Sequence, residues 1–170
     1  MLLNPDQFSI IQSKEMGMWP NGTLIADVMY PYIKRMPTTI SILDVGTMKG
    51  ENAYRFVEID VKKKIDVIYT EKKTNQYDAL IEENLKNLSD KISLEVSKEP
   101  FDIVCINSKT NLSETLNQYY SRVKIGGIFC GDGHSETPVK EALAKFRREN
   151  RIGIPISIAH DVWFWYCRQK

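Results

Sequence analysis

Short apolar runs rich in β-branched residues recur along the chain, with more polar segments between them. Runs of this length and composition, bounded by turn residues, are typical of buried strands. The pattern predicts strands at residues 40–45, 66–70, 92–96, 101–106, 128–130, 156–159 and 162–167.

Segments with the apolar spacing of helices lie between most of these strands, and one precedes the first. They predict helices at residues 23–36, 52–59, 74–88, 113–123 and 138–150. Pro31 is expected to kink the first helix or split it in two, because proline removes a helical hydrogen bond. Thr137 is expected to cap the last helix, with Pro138 at its first helical position.

The alternation of strands and helices predicts an α/β fold. We expect a Rossmann-like, seven-stranded, mostly parallel sheet with helices on both faces. The last two strands are joined only by Ala-His-Asp, which is too short for a parallel crossover. The last strand is therefore expected to be antiparallel.

Length, charge and cysteine usage narrow the class of protein. The 170 residues suit one domain, with residues 1–36 as an N-terminal helical or lid segment. A formal net charge of +1 produces no overall electrostatic attraction for polyanions, so we do not expect nucleic acid as a partner. No apolar run approaches the roughly 18 residues of a membrane span and no signal peptide is evident, so we expect a cytoplasmic protein without a membrane partner. Cys105, Cys130 and Cys167 lie in apolar stretches without CxxC spacing, and we expect them to be reduced and buried.

The stretch ISILDVGTMKGENAYRF, residues 40–56, leads from a predicted strand through an acid and two glycines into a helix. Gly46 would let a ligand approach the backbone and Gly50 would allow a tight entry into the helix, although both glycines also suit a simple turn. Glu71 follows the second strand, 21 residues after Gly50, where a carboxylate would bind a ribose diol. Neither GxGxxG nor GKS/GKT is present, so the pattern favours a nucleoside without a pyrophosphate.

Five pieces of the chain, in order, resemble the class I S-adenosylmethionine-dependent methyltransferases: ILDVGTMKG, VIYTE, FDIVCIN, VKIGGIFCGDGH and VWFWYCR. The resemblance covers residues 40–168, and VKIGGIFCGDGH followed by PVKEALAKFRREN is most similar to small O-methyltransferases of sugars and natural products. It implies S-adenosyl-L-methionine as cofactor, with the glycine loop around its methionine end and Glu71 on its ribose. The cofactor-binding residues that the resemblance implies are Asp44, Gly46, Thr47, Gly50, Glu71, Asn107 and Ser108.

Methyl transfer to a hydroxyl requires an oriented acceptor and a base for its proton. GDGH, after the fifth predicted strand, offers Asp132 and His134, and a histidine suits proton removal near neutral pH. The alternatives are that His134 is only a polar loop residue and that Asp132 orients the loop. Some relatives hold a divalent ion with an acid after the fourth strand and an Asp-Asp or Asp-Asn pair after the fifth. The corresponding residues here are Asn107 and Asp132-Gly133. They provide only one carboxylate ligand, so we expect no metal site.

The sequence thus predicts an enzyme that transfers a methyl group from S-adenosylmethionine to a small-molecule substrate, a hydroxylated sugar or secondary metabolite. The alternative is a non-catalytic module that binds S-adenosylmethionine or a nucleoside on the same fold. The short link at residues 96–101 and the replaced metal position favour this alternative. Acceptor pockets are built by variable loops, so the fold does not fix the acceptor, and a homo-oligomer stays open.

Overall fold

Helices and strands alternate along the parts of the chain that the computed structural model describes, residues 24–45, 51–58, 64–70, 92–93, 100–107 and 111–168. The predicted helix at 74–88 and most of the N-terminal segment lie outside these residues. The helices are α1 (Ile25–Ile33), α2 (Glu51–Glu58), α3 (Leu112–Tyr119), followed by a 3₁₀ turn (Tyr120–Arg122), and α4 (Thr137–Glu149). The strands are β1 (Thr39–Val45), β2 (Lys64–Thr70), β3 (Ile92–Ser93), β4 (Phe101–Ile106), β5 (Val123–Gly131), β6 (Ser157–Ala159) and β7 (Val162–Tyr166).

The strands form one sheet in the order β3-β2-β1-β4-β5-β7-β6. Strands β1 to β5 pair in parallel, whereas β7 is antiparallel to both β5 and β6. The mixed α/β architecture with a mostly parallel sheet is therefore confirmed, and so is the antiparallel hairpin at its end. The order reverses between β1 and β4, because the chain first builds outward from β1 to β3 and then continues on the other side of β1.

Successive residues of the central strands point to opposite faces of the sheet, and helices cover both faces as predicted. On one face, α1 and α2 pack on a buried cluster that includes Ile42, Ile103, Cys105 and Ile128. On the other, α3 and α4 pack on a cluster that includes Leu43, Val104, Ile106 and Phe129. Among the described residues no helix is long and apolar enough to cross a bilayer.

One of the two alternatives for Pro31, a split helix, is wrong, and so is Thr137 as the cap of the last helix. Helix α1 runs unbroken from Ile25 to Ile33, so Pro31 does not split it. Only two helical residues follow this proline, and the helix is held on the sheet by buried Met29 and Ile33. Thr137 is the first residue of α4 rather than its cap, because the cap position is taken by Glu136. Pro138 therefore lies one residue further into the helix than predicted, where its missing N–H is still among those without a helical partner.

Strand β5 begins earlier than the predicted 128–130 and includes two consecutive glycines. Gly126 has a φ of 83°, and the pairing between β4 and β5 shifts register beside it. A Cβ at Gly127 would lie 2.7 Å from the carbonyl oxygen of Asp102, so the close approach of β4 requires glycine there. The glycines form a bulge within the strand instead of ending it.

The three cysteines are buried and free, as the sequence predicts. Cys105 and Cys130 lie opposite each other on β4 and β5, with their Sγ atoms 3.2 Å apart. Burial raises the pKa of the Cys105 thiol, with a further contribution from its hydrogen bond to Cys130. The thiolate is the reactive form of cysteine, and a raised pKa disfavours it, so Cys105 suits packing and not reactivity.

Candidate active site

The reversal of strand order places two polar residues side by side at the carboxyl edge of the sheet. Asp44 is the next-to-last residue of β1, and Asn107 directly follows β4. The backbone N–H of Asn107 donates to the carbonyl oxygen of Val45 at 2.8 Å, which joins the two strand ends. Ligands of open α/β sheets bind outside the carboxyl ends of the strands at such a reversal, so Asp44 and Asn107 flank the expected site.

A chain of buried hydrogen bonds starts at the Asp44 carboxylate. The Asn107 side-chain amide donates to Asp44 Oδ1, and its own Oδ1 accepts from Asn52 Nδ2 at 2.7 Å. The Oδ1 of Asn52 accepts the backbone N–H of Ala26 at 3.2 Å. Asp44, Asn52 and Asn107 are 0%, 0% and 7% exposed, respectively. We call this set the Asp44–Asn107–Asn52 network.

The direction of each bond in the network follows from the first donor. A backbone N–H can only donate, so Asn52 must turn its oxygen toward Ala26 and its NH₂ toward Asn107. Asn107 must then accept with its oxygen, which leaves its NH₂ to donate to the acceptor-only carboxylate of Asp44. The network therefore has one consistent arrangement, and it presents donors to Asp44.

Asn52 also caps a helix to which it does not belong. The N-cap residue of α1 is Leu24, which has no polar side chain and makes no capping bond. The first N–H groups of a helix lack helical partners, and an oxygen near the second or third residue usually satisfies them. Asn52, the second residue of α2, supplies that oxygen to Ala26. The start of α1 is thus tied to the end of β1 through α2 and β4.

Sequence reasoning did not identify Asn52 as a site residue. Its signal was an asparagine in the first turn of a predicted helix, two residues after Gly50. Asparagine competes for backbone hydrogen bonds and is not favoured inside helices. An asparagine at this position is therefore expected to have a specific hydrogen-bond partner for its side chain.

Asp132 and His134 lie in the loop between β5 and α4. This loop opens at the same edge as Asn107, because β4 and β5 are parallel. Asp132 is 5% exposed, and its backbone oxygen accepts the indole N–H of buried Trp163 at 3.1 Å. His134 is partly buried, and this burial, with a smaller contribution from Lys140, lowers the pKa of its imidazole. A histidine with a lowered pKa is neutral near pH 7 and can accept a proton.

Five of the residues implied by the resemblance lie outside the described residues: Gly46, Thr47, Gly50, Glu71 and Ser108. Of the others, the structure brings Asp44 and Asn107 into direct contact, and it places Asp132 and His134 on one loop. In the described part of the chain, no group of three or more His, Cys, Asp or Glu side chains is arranged to hold a metal ion.

Solved structures of methyltransferases share this fold. The precorrin-6y C5,15-methyltransferase of Geobacter metallireducens GS-15 matches with a TM-score of 0.61 and 13% identity, over 89% of this chain and 92% of that one. The O-methyltransferase of Bacillus cereus, in complex with SAH, matches with a TM-score of 0.60 and 12% identity, over 92% and 84% of the two chains. The ribosomal protein L11 methylase of Lactobacillus delbrueckii subsp. bulgaricus matches with a TM-score of 0.57 and 21% identity, over 82% and 73%.

No protein-family model and no curated protein matches the sequence. Identities this low show a shared fold but not a shared methyl acceptor. The three neighbours are named as a C-methyltransferase, an O-methyltransferase and a protein methylase, and these names indicate different acceptors. The chain has the fold of the class I S-adenosylmethionine-dependent methyltransferases, and at this level the resemblance seen in its sequence is confirmed.

Proposed function

We propose that this protein transfers a methyl group from S-adenosylmethionine to a small hydroxylated acceptor, a sugar or a secondary metabolite. The observation that carries the proposal is the buried Asp44–Asn107–Asn52 network at the strand reversal of a methyltransferase-type sheet. Burying a carboxylate and two amides is costly compared with apolar packing, and core stability does not require it. Such a departure from an apolar core is expected where a ligand site is built.

The residues at this edge fit a nucleoside cofactor of this class. The network fixes the end of β1, from which residues 46–50 lead into α2, and the N-terminus of a helix favours an anionic ligand group. S-adenosylmethionine, when bound, supplies an electrophilic methyl group. The residues proposed to hold it are Asp44, Gly46, Thr47, Gly50 and Ser108 at its methionine part, and Glu71 at its ribose.

We propose that the side chain of Asn107 does not contact the cofactor directly. Its amide donates to Asp44 and accepts from Asn52, so both of its ends are engaged inside the protein. We propose that Asn107 holds the Asp44 carboxylate in place at the entrance to the glycine loop. This function explains why an amide suits the position, because a carboxylate there would face Asp44 with like charge.

His134 is the proposed general base. Its lowered pKa keeps the imidazole neutral near pH 7, so it can accept the proton of an acceptor hydroxyl as the oxygen attacks. Asp132 precedes it by two residues, and its backbone is held by the Trp163 indole. We propose that Asp132 orients the loop on which His134 lies.

A turnover assay tests the proposal against the non-catalytic alternative. The measurement is S-adenosylhomocysteine release with a panel of sugars and phenols, for the wild type, His134→Ala and His160→Ala. His160 is the other histidine of the chain, and it is exposed, so it serves as the matched control. Acceptor-dependent release that His134→Ala lowers by ~10²–10⁴, with cofactor affinity retained, supports an enzyme with this base. Cofactor binding without turnover on any acceptor supports the binding module.

A further inference from the structure

The turn between β6 and β7 places two non-glycine residues at positive φ. His160 and Asp161 are its two central residues, between the paired Ala159 and Val162. Their φ angles are 49° and 71°, and positive φ at both positions is the mark of a type I′ turn. Glycine, asparagine and aspartate dominate such turns, and glycine is the usual residue at the second central position, which Asp161 occupies here. If the turn only joined two strands, Asn-Gly would suit it better.

Asp161 makes two contacts that a glycine could not make together. Its backbone oxygen accepts the N–H of His134 at 3.0 Å, and its carboxylate Oδ1 accepts the N–H of Ser135. Two successive amides of the loop after β5 are therefore held by one residue of the hairpin. The neighbouring Trp163 donates its indole N–H to the backbone oxygen of Asp132 in the same loop. The hairpin thus fixes this loop at three points.

We propose that Asp161 is a positioning residue for the acceptor side of the site: it fixes the loop after β5 so that His134 is presented at the carboxyl edge of the sheet. This inference rests on the proposed function of His134 as base. It accounts for an aspartate at a backbone position that favours glycine, because only a side chain with an acceptor can reach Ser135 while the main chain accepts from His134. Positioning of this kind matters, since a small misplacement of a catalytic group lowers the rate strongly.

The charge of Asp161 gives the inference a second readout. Among the described residues, Lys140 of α4 and Asp161 act on His134 in opposite directions: burial and Lys140 lower its pKa, while Asp161 raises it. Asp161→Asn keeps an acceptor for Ser135 and removes the charge, whereas Asp161→Gly relieves the strained backbone and removes the side-chain acceptor. His160→Gly relieves the same kind of strain at the other turn position and is the matched control.

The experiment compares these three variants in the full-length protein by amide hydrogen exchange at Ser135, by NMR titration of His134, and by turnover. The chain has two histidines, so His160→Gly leaves one imidazole and assigns the signal. Asp161→Gly should speed exchange at Ser135 by roughly tenfold, as for one lost hydrogen bond, and lower kcat by about tenfold to a hundredfold with the cofactor KM retained. Asp161→Asn should keep the Ser135 protection and shift the His134 titration to lower pH. His160→Gly should change none of these.

Unchanged exchange at Ser135 in Asp161→Gly, or an unchanged His134 titration in Asp161→Asn, would overturn the proposal. An equal fall in kcat for His160→Gly and Asp161→Gly would also overturn it, because the turn would then matter only through its backbone. Failure of the proposed function is distinguishable: the wild type would then show no methyl transfer, while exchange and titration would still respond to Asp161.

Discussion

Replacing Asn52 by alanine tests whether the buried network holds the site together. The change removes the oxygen that accepts the N–H of Ala26 and the NH₂ that donates to Asn107. Both partners are buried, so water cannot replace what is lost. Each buried polar group left unsatisfied costs about 1–3 kcal/mol. The two groups together cost about 2–6 kcal/mol, and the higher helix propensity of alanine offsets at most about 0.7 kcal/mol, so the free energy of unfolding should fall by about 1–5 kcal/mol.

That loss is a large part of the ~5–15 kcal/mol typical of a whole domain. Urea denaturation at equilibrium measures it directly, and a thermal scan should show the melting temperature lowered by about 2–20 °C. Calorimetric titration of the folded variant with S-adenosylmethionine should show weaker binding as well, because Asn107 and Asp44 lose their fixed arrangement.

Arg55→Ala is the matched control. Arg55 Nε lies 2.7 Å from Asp27 Oδ1, so this pair joins the same two helices, α2 and α1. Its side chains are 45% and 36% exposed, and exposed ion pairs contribute about 0–1 kcal/mol. If Asn52→Ala and Arg55→Ala destabilised the protein equally little, the reasoning would be refuted, since burial of the network would then have no energetic consequence.

Three further predictions concern the fold, the base and the ribose contact. Gly131→Ala should destabilise the fold by about 1–3 kcal/mol, because a Cβ would lie 2.5 Å from the Ile106 oxygen and against the Trp163 ring, while Gly153→Ala, with open space around it, should be silent in the same urea titration. Wild-type turnover should stay level above pH 7 and fall as the pH is lowered through a pKa below the ordinary 6.5 of histidine, because protonation removes the base; a fall centred above pH 7 would contradict the assignment of His134. Glu71→Ala should raise the cofactor dissociation constant about tenfold to a hundredfold in calorimetry, and equal binding of a 2′-deoxy cofactor by the wild type would exclude the ribose role.

The sequence was most informative where structure depends on local pattern. The run FDIVCI is a strand with the predicted bounds, because a strand buried on both faces is continuously apolar. Asn107 and His134 each follow a predicted strand, and the parallel pairing of β4 and β5 brings them to the same edge of the sheet. The start of β5 was predicted too late, because two adjacent glycines usually indicate the end of a strand. Gly127 is instead required by the close approach of Asp102 on β4.

The contacts that make the site depend on distant parts of the chain. Asn52 bonds to residues 26 and 55 positions away, and nothing in its neighbours along the chain predicts either partner. Asp161 looks like an ordinary turn residue until the fold brings the loop of His134 against it. Sequence patterns therefore predicted the strands that bring Asn107 and His134 to one edge of the sheet, while the hydrogen bonds that position these residues required the tertiary structure.

Calorimetric titration of the wild type with S-adenosylmethionine and S-adenosylhomocysteine is the most direct test of cofactor binding by this protein. Both should bind with dissociation constants below the millimolar range. Gly46→Val should abolish binding by putting a branched side chain into the ligand's space, and Lys145→Ala, a change at an exposed position of α4, should leave binding unchanged. Absence of binding of either compound to the folded wild type at millimolar concentration, or equal effects of the two substitutions, would contradict the account.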